Sequence, residues 1–305
     1  MKKNILFAFV TILVLVLLII GGFFKIPDSN SKKPQVVTTL FPFFDIARYI
    51  GKDKIDVSLL LPPGVEAHSF EPKPSDIIKI NQADIFIYTG EILEPWVGDI
   101  VKSLTDNSIT IINASQGISL IQETENGSLA MDPHIWLDFT NMIKISQIIG
   151  KAIISKDPKN ASYYQKNTNE YISSLRQLDL SYKKTLATCK TRDIVYGGHY
   201  AFGYLVNKYH LNLISAYSVA PDSEPSAQDI AGLIDQIKKD NIKYIYYEEL
   251  VSPRVAQTLA DETGAKILLL NPAHNITKKD YENNATFDSI MKYNLENLKV
   301  GLQCQ

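Results

Sequence analysis

The chain has 305 residues, with 31 lysines and arginines set against 33 aspartates and glutamates for a formal net charge of −2. That balance lacks the basic stripe needed to neutralise a phosphate backbone, which excludes nucleic acid as a partner. The two cysteines, Cys189 and Cys304, stand too far apart for the paired-thiolate spacing of a zinc ribbon; in an oxidising compartment they form either one disulfide closing a long loop or two free thiols.

In chain order, Lys2 and Lys3 precede an almost unbroken apolar run over residues 5–24. About 20 apolar residues cross a bilayer core, whereas the apolar part of a cleaved signal runs to only ~7–15. Length therefore favours an uncleaved N-terminal helix: no small-residue cleavage site stands near Gly21 and Gly22, and no cysteine offers a lipid attachment there. Residues 1–33 are expected to be a membrane anchor or signal segment with its linker. Lys25, Lys32 and Lys33 on the far side match the lysines before the run, but long domains translocate regardless of flanking charge, so the bulk of the chain is expected outside the cytoplasm. Cleavage would leave it secreted or periplasmic. The remaining residues, about 270, suit two domains better than a single core.

Over residues 34–156, short β-branched or apolar runs at 36–40, 57–61, 85–89 and 109–112 alternate with helix-length stretches at 44–50, 75–82 and 94–103. That alternation predicts an α/β lobe, a parallel sheet with helices on its faces. Residues 157–191 follow as a connector. From 159 to 193 there is neither glycine nor proline, and Tyr164, Tyr171, Leu175, Leu178 and Tyr182 recur at helical steps. The pattern predicts one long amphipathic helix, ~30 residues and roughly 45 Å, that spans two lobes and limits their hinge motion. It covers too few heptads for a coiled-coil seam, and a monomer is expected. Residues 192–305 resume the α/β rhythm, with strands at 194–196, 211–215, 244–247 and 267–270 and helices at 201–208, 226–239 and 253–263. Asn-x-Ser/Thr sequons at Asn113, Asn126, Asn160, Asn275 and Asn284 allow glycosylation outside the cell.

Four of the five histidines stand in short segments flanked by glycine, proline or acid, where backbone turns can aim them at one point. His68, in Gly-Val-Glu-Ala-His, follows a predicted strand, where ligands gather beyond the carboxyl ends of parallel sheets. Glu66 is a nearby carboxylate that enters the ligand set or holds a ligand, while Glu71 faces a proline turn and reads as structural. His134, in Asp-Pro-His-Ile-Trp-Leu-Asp, is stiffened by Pro133; Asp132 or Asp138 accepts its second ring N–H or caps the next helix, and Trp136 walls the site. His199 follows Gly197 and Gly198, which let the backbone approach closely, at the end of the first strand of the second lobe. His274, in Asn-Pro-Ala-His, follows a later strand of that lobe; Asn271 or a water is the alternative there. His210 precedes a strand without a turn to aim it and reads as a helix-end or surface residue. An imidazole-rich set of this kind suits a borderline-soft divalent ion, zinc before manganese.

Several segments together resemble a known family. Thr-Thr-Leu-Phe-Pro-Phe-Phe-Asp from Thr38, Pro-Gly-Val-Glu-Ala-His-Ser-Phe-Glu-Pro-Lys-Pro-Ser-Asp from Pro63, Asp-Pro-His-Ile-Trp-Leu-Asp from Asp132, Gly-Gly-His-Tyr-Ala-Phe-Gly-Tyr from Gly197 and Glu-Glu-Leu-Val-Ser-Pro from Glu248 are similar to the cluster A-I solute-binding proteins of zinc and manganese ABC transporters. The resemblance implies two Rossmann-like lobes joined by a rigid backbone helix, with one divalent ion held between them. It also implies that the third ligand separates zinc receptors, with histidine, from manganese receptors, with glutamate; His199 points to zinc. The chain departs from that pattern where the family places an acidic fourth ligand, since Asn271 and His274 stand there, and residues 122–127 hold none of the histidines of the scavenging loop found in many zinc receptors. The expected function is capture of Zn²⁺ outside the cytoplasm and delivery to an ABC permease, without enzymatic activity and with copper or nickel as competing ions. The alternatives are manganese uptake, a surface adhesin or structural zinc protein, and a zinc hydrolase with Glu66 as general base.

Overall fold

The computed structural model describes residues 33–305 apart from 105, 107, 126–127 and 218–224. The expected apolar anchor and the sequon at Asn126 lie outside the described residues. Among those described, no helix is long and apolar enough to cross a membrane.

In the first half, β1 (Gln35–Thr38), β2 (Asp56–Leu59), β3 (Ile85–Tyr88) and β4 (Thr110–Asn113) pair in parallel in the order β2-β1-β3-β4. Helices α1 (Phe41–Gly51), α2 (Pro74–Asn81) and α3 (Val97–Ser103) connect them. The second half repeats the arrangement with β7 (Asp193–Tyr196), β8 (Asn212–Ser215), β9 (Tyr244–Tyr247) and β10 (Lys266–Leu269) in the order β10-β9-β7-β8, linked by α6 (Gly203–Tyr209), α7 (Ala227–Lys239) and α8 (Arg254–Thr263). Both sheets carry apolar residues on both faces, as parallel sheets covered on two sides require. Val36 faces the main core while Val37 faces the helices behind. In each sheet the strand order reverses next to its first strand, β1 or β7, and the crevice at that point is where such folds bind ligands.

Between the sheets run an antiparallel ribbon of β5 (Gln122–Glu125) and β6 (Ser128–Met131), helix α4 (Phe139–Lys156) and the long helix α5 (Ala161–Leu186). The ribbon is absent from the sequence expectation, and the long helix is shorter than expected. Its 26 residues give roughly 39 Å at 1.5 Å each. It stops at Leu186 because the following chain finds other partners: Lys190 and Thr191 donate to the Leu302 carbonyl, and Cys189 is disulfide-bonded to Cys304. The predicted stripe of Tyr164, Tyr171, Leu175, Leu178 and Tyr182 is buried throughout. It packs on α1 and α4 from the first half and on α6 and α10 (Phe287–Gly301), preceded by the short α9 (Lys278–Glu282), from the second. Burying each side chain of that size contributes about 1.5–3 kcal/mol.

The consequence is one apolar core, from Val36 and Phe41 through Trp136, Tyr171 and Tyr182 to Leu205 and Leu298, that passes through both α/β halves and the connector. Pro34–Gln305 accordingly forms one compact unit in which the two α/β lobes share this core. Smaller clusters back the outer faces, with Ile80, Phe86 and Ile100 under α2 and α3, and Ile237, Ile245 and Leu259 under α7 and α8.

Candidate metal centre

Each of the four turn-borne histidines sits beyond the carboxyl end of a strand, and the fold brings all four together. His68 follows β2, His134 follows the ribbon, His199 follows β7 and His274 follows β10. His68 Nε2 lies 3.3 Å from His134 Nε2, which lies 3.0 Å from His199 Nε2. The His274 ring centre is 5.9 Å from that of His199, and its Nε2 is 3.4 Å from Glu66 Oε2. His134, His199 and His274 are buried, and His68 is partly so. Two neutral imidazoles cannot both present a proton, or both a lone pair, to each other at such distances without cost. A tetrahedral ion with N–Zn bonds of about 2.0–2.1 Å separates its ligand nitrogens by about 3.3 Å, matched by the His68–His134 spacing and 0.3 Å wider than the 3.0 Å between His134 and His199.

Carboxylates orient two of the rings from behind. Asp132 Oδ1 accepts the His134 Nδ1–H at 2.7 Å and the His134 backbone N–H at 2.8 Å. Glu248 Oε2, immediately after β9, accepts from His199 Nδ1 at 2.8 Å and from its backbone N–H at 3.2 Å. Each bond directs the ring's Nε2 into the centre, an arrangement that fixes the tautomer of a metal-binding histidine. Gly198 makes this possible, because a Cβ there would collide with the Glu248 carboxylate and stand 2.8 Å from its Cβ. Gly203 admits Asp132 in the same way. Trp136 lies edge-on to His134, with ring centres 5.3 Å apart, and donates its indole N–H to the Pro272 carbonyl at 2.7 Å.

The two pairs differ in charge. Burial pushes the Asp132 carboxyl up to about 7 and holds His134 well below the usual imidazole range, so the ring is neutral while the carboxyl is half titrated near neutral pH. Burial also acts to lower His199, but the Glu248 carboxylate outweighs it and keeps the ring above its ordinary value, while Glu248 itself is held down by the same pairing against its own burial. His68 falls to about 2, through burial and then the neighbouring rings. Burial works to raise Glu66, yet contacts with His274 and His199 and the His68 N–H bring it well below the carboxylate range. Among the described residues two carboxylates held below their usual range adjoin the rings, Glu66 beside His274 and Glu248 within 4.8 Å of His199 and His274, and Glu66 Oε2 and Glu248 Oε1 are both buried without a hydrogen-bond partner.

The remaining sequence candidates lie elsewhere. Asn271 does not face the imidazoles: its Oδ1 accepts from the Ala273 N–H at 2.7 Å and its Nδ2 donates to Glu249. Asp138 caps α4 through the Thr140 N–H and pairs with Lys208, leaving Asp132 alone behind His134. His210 caps α6 in left-handed backbone at the surface, and Glu71 is exposed. The Asn275 sequon is buried, so its amide is closed to glycosylation. Glu248 is the residue that pattern reading misses. Its signal is a carboxylate directly after the strand at which the second sheet reverses order.

The family model described as zinc-uptake complex component A, periplasmic, matches residues 36–301. The chain belongs to this family. Within it, the chain is 40% identical over 286 residues to the high-affinity zinc uptake system protein ZnuA of Bacillus subtilis, covering 90% of this chain and 89% of that protein. It is 35% identical to the zinc-binding protein AdcA of Streptococcus pyogenes, a match that takes in 98% of this chain but only 62% of the longer relative. Among solved structures, the Zn(II)-bound ZnuA-like domain of Streptococcus pneumoniae AdcA superposes with a TM-score of 0.77 at 33% identity, over 89% of this chain and 99% of that domain. The family's fold thus accounts for both sheets and for the placement of the four strand-end segments that carry the histidines.

Proposed function

We propose that this chain is an extracytoplasmic zinc receptor that captures Zn²⁺ on His68, His134, His199 and His274, with Glu66 as the charge-balancing carboxylate, and hands it to an ABC permease. The observation that carries the reading is the convergence of ring nitrogens at 3.0 and 3.3 Å in a buried centre. Zinc is the cargo, and the chain's own part is to hold it and let it go. Four neutral imidazoles leave the ion's full charge in a buried site, and the carboxylates of Glu66 and Glu248 beside them offset it. Nitrogen donors in this number select against Mn²⁺, which prefers oxygen. Every ring in the set has a use in binding and Glu66, the general base a hydrolase would need, is paired with His274, so the reading is of a receptor rather than a hydrolase. The 1–33 segment would hold the receptor at the membrane and raise its effective concentration at the permease.

Competitive calorimetric titration of chelator-stripped protein with Zn²⁺, Mn²⁺ and Cu²⁺ tests this. One tight zinc site that weakens in both His274→Ala and Glu66→Ala supports the proposal. Preference for manganese, or no tight site, overturns it. A stable fold without metal separates a receptor from a structural zinc protein, which needs its ion to fold.

A further inference from the structure

The loop that carries His274 belongs in sequence to the second sheet, but its hydrogen bonds run largely to the first half of the chain. Phe41 N–H donates to the His274 carbonyl at 3.2 Å, Gly64 N–H to the Ile276 carbonyl at 2.8 Å, and the Trp136 indole to the Pro272 carbonyl. The most directed of these contacts belongs to Asn275, which is 1% exposed. Its carboxamide donates one N–H to the Pro62 carbonyl at 2.7 Å and the other to the Val65 carbonyl at 2.8 Å, and its Oδ1 accepts from the Ile276 N–H at 2.9 Å. A buried asparagine with its donors and acceptor all used is expensive to replace, since each lost partner leaves a desolvated group.

The carbonyls it holds close the 62–65 turn, in which Val65 N–H donates to the Pro62 carbonyl. That turn leads directly into Glu66 and His68, while Asn275 itself follows His274. One side chain thus ties together the segments that deliver two of the proposed ligands, His68 and His274, and the Glu66 carboxylate. On the other side the loop is anchored to its own half, through Asn294, which donates to the Asn271 carbonyl at 2.7 Å and accepts from its N–H at 2.9 Å. Ala273, between these anchors, holds a φ of 58°, left-handed backbone that is costly for a residue with a Cβ.

Resting on the zinc reading above, we propose that Asn275 is a positioning residue whose carboxamide clamps the 62–65 turn to the His274 loop, and so sets how fast the metal leaves. With the clamp closed, Glu66 and His68 stay within reach of an ion bound to His134, His199 and His274. With the clamp open, the turn swings away and the His68 ligand and the Glu66 carboxylate go with it. Metal release then has a defined first step, the loss of two hydrogen bonds remote from the ion.

The test compares full-length wild type with Asn275→Ala, measuring zinc dissociation into excess chelator and amide exchange at Gly64 in the metal-free protein. Losing two neutral hydrogen bonds predicts dissociation faster by about tenfold to thirtyfold, together with loss of protection at Gly64. In a Glu66→Ala/His68→Ala background the same change should leave dissociation unaltered, because the turn no longer carries ligands. Equal acceleration in both backgrounds, or a wild-type rate in Asn275→Ala, overturns the proposal. Should the alanine variant not fold, Asn275→Asp keeps the shape, replaces the donor and carries the same expectations. If wild type holds no zinc, the receptor reading fails, and Gly64 exchange alone decides the clamp: unchanged protection removes it.

Discussion

At the scale of single residues, the centre divides its histidines by what stands behind them. His199, paired with Glu248, is both ligand and charge partner, so His199→Ala should abolish tight zinc binding in a titration, while His210→Ala at the surface should leave it intact. Gly198 has no side chain to offer an ion, yet Gly198→Ala should weaken zinc by about 10–100-fold by pushing Glu248 off the His199 ring, the range found when such orienting partners are lost. Isotherms of the two proteins at one pH decide it. The pH dependence follows from the same pairs. His68 and His134 are held below the usual imidazole range and are neutral at pH 5.5, so zinc displaces no proton from them. His199 is held above it and is protonated there, so zinc must displace its proton, and affinity falls as pH drops through the His199 pKa. Asp132, with its carboxyl at about 7, is expected to give up its proton as well once the ion's charge arrives. Calorimetry in buffers of different ionisation heat should therefore show about two fewer protons released at pH 5.5 than if His68 and His134 were ordinary imidazoles.

At the scale of elements, the strands and their order of appearance are legible because parallel strands buried on both faces read as short apolar runs. The long helix is legible for a similar reason, since its tyrosines and leucines keep a helical period over several turns. Its end is not, because nothing local stops a glycine-free, proline-free stretch at Leu186; the C-terminal strand of chain that captures residues 189–191 does. The ribbon before Asp132 is likewise hidden, because β5 and β6 are four residues each and hold one another rather than a sheet. Helix α10 starts where it does partly because of a residue on another helix: Asp45 of α1 accepts from the Phe287 N–H at 3.1 Å, from the Tyr171 hydroxyl at 3.2 Å and from Arg48 at 2.8 Å. Asp45→Ala should lower unfolding free energy by about 2–4 kcal/mol, by stranding the Phe287 N–H and the Tyr171 hydroxyl and leaving Arg48 with the Ala285 carbonyl. Urea unfolding measures it, with zinc stoichiometry unchanged in the folded fraction.

At the scale of the molecule, the single core and the Cys189–Cys304 disulfide make the two α/β halves one body. The disulfide joins residues 115 apart in sequence, tying the end of α5 to the end of α10. In the chain-entropy view a crosslink of that span contributes up to about 4–5 kcal/mol. Cys189→Ser/Cys304→Ser should then melt roughly 10 °C lower in the metal-free state, at a few degrees per kcal/mol, and still bind one zinc. A loss of binding would mean that the staple, far from the histidines, positions them after all.

The sequence by itself determined the two α/β halves, the buried stripe of the connecting helix and the four segments that deliver histidine, because strand burial, helical period and turn chemistry are local properties written in neighbouring residues. Tertiary structure decided the rest. Glu248 stands behind His199 only because β9 lies beside β7; Asn271 turns away because Ala273 and Glu249 take its amide; Asn275 reaches Pro62 and Val65 across more than two hundred residues of chain. Those choices depend on which distant groups a folded core brings within hydrogen-bonding distance, and no local pattern encodes that.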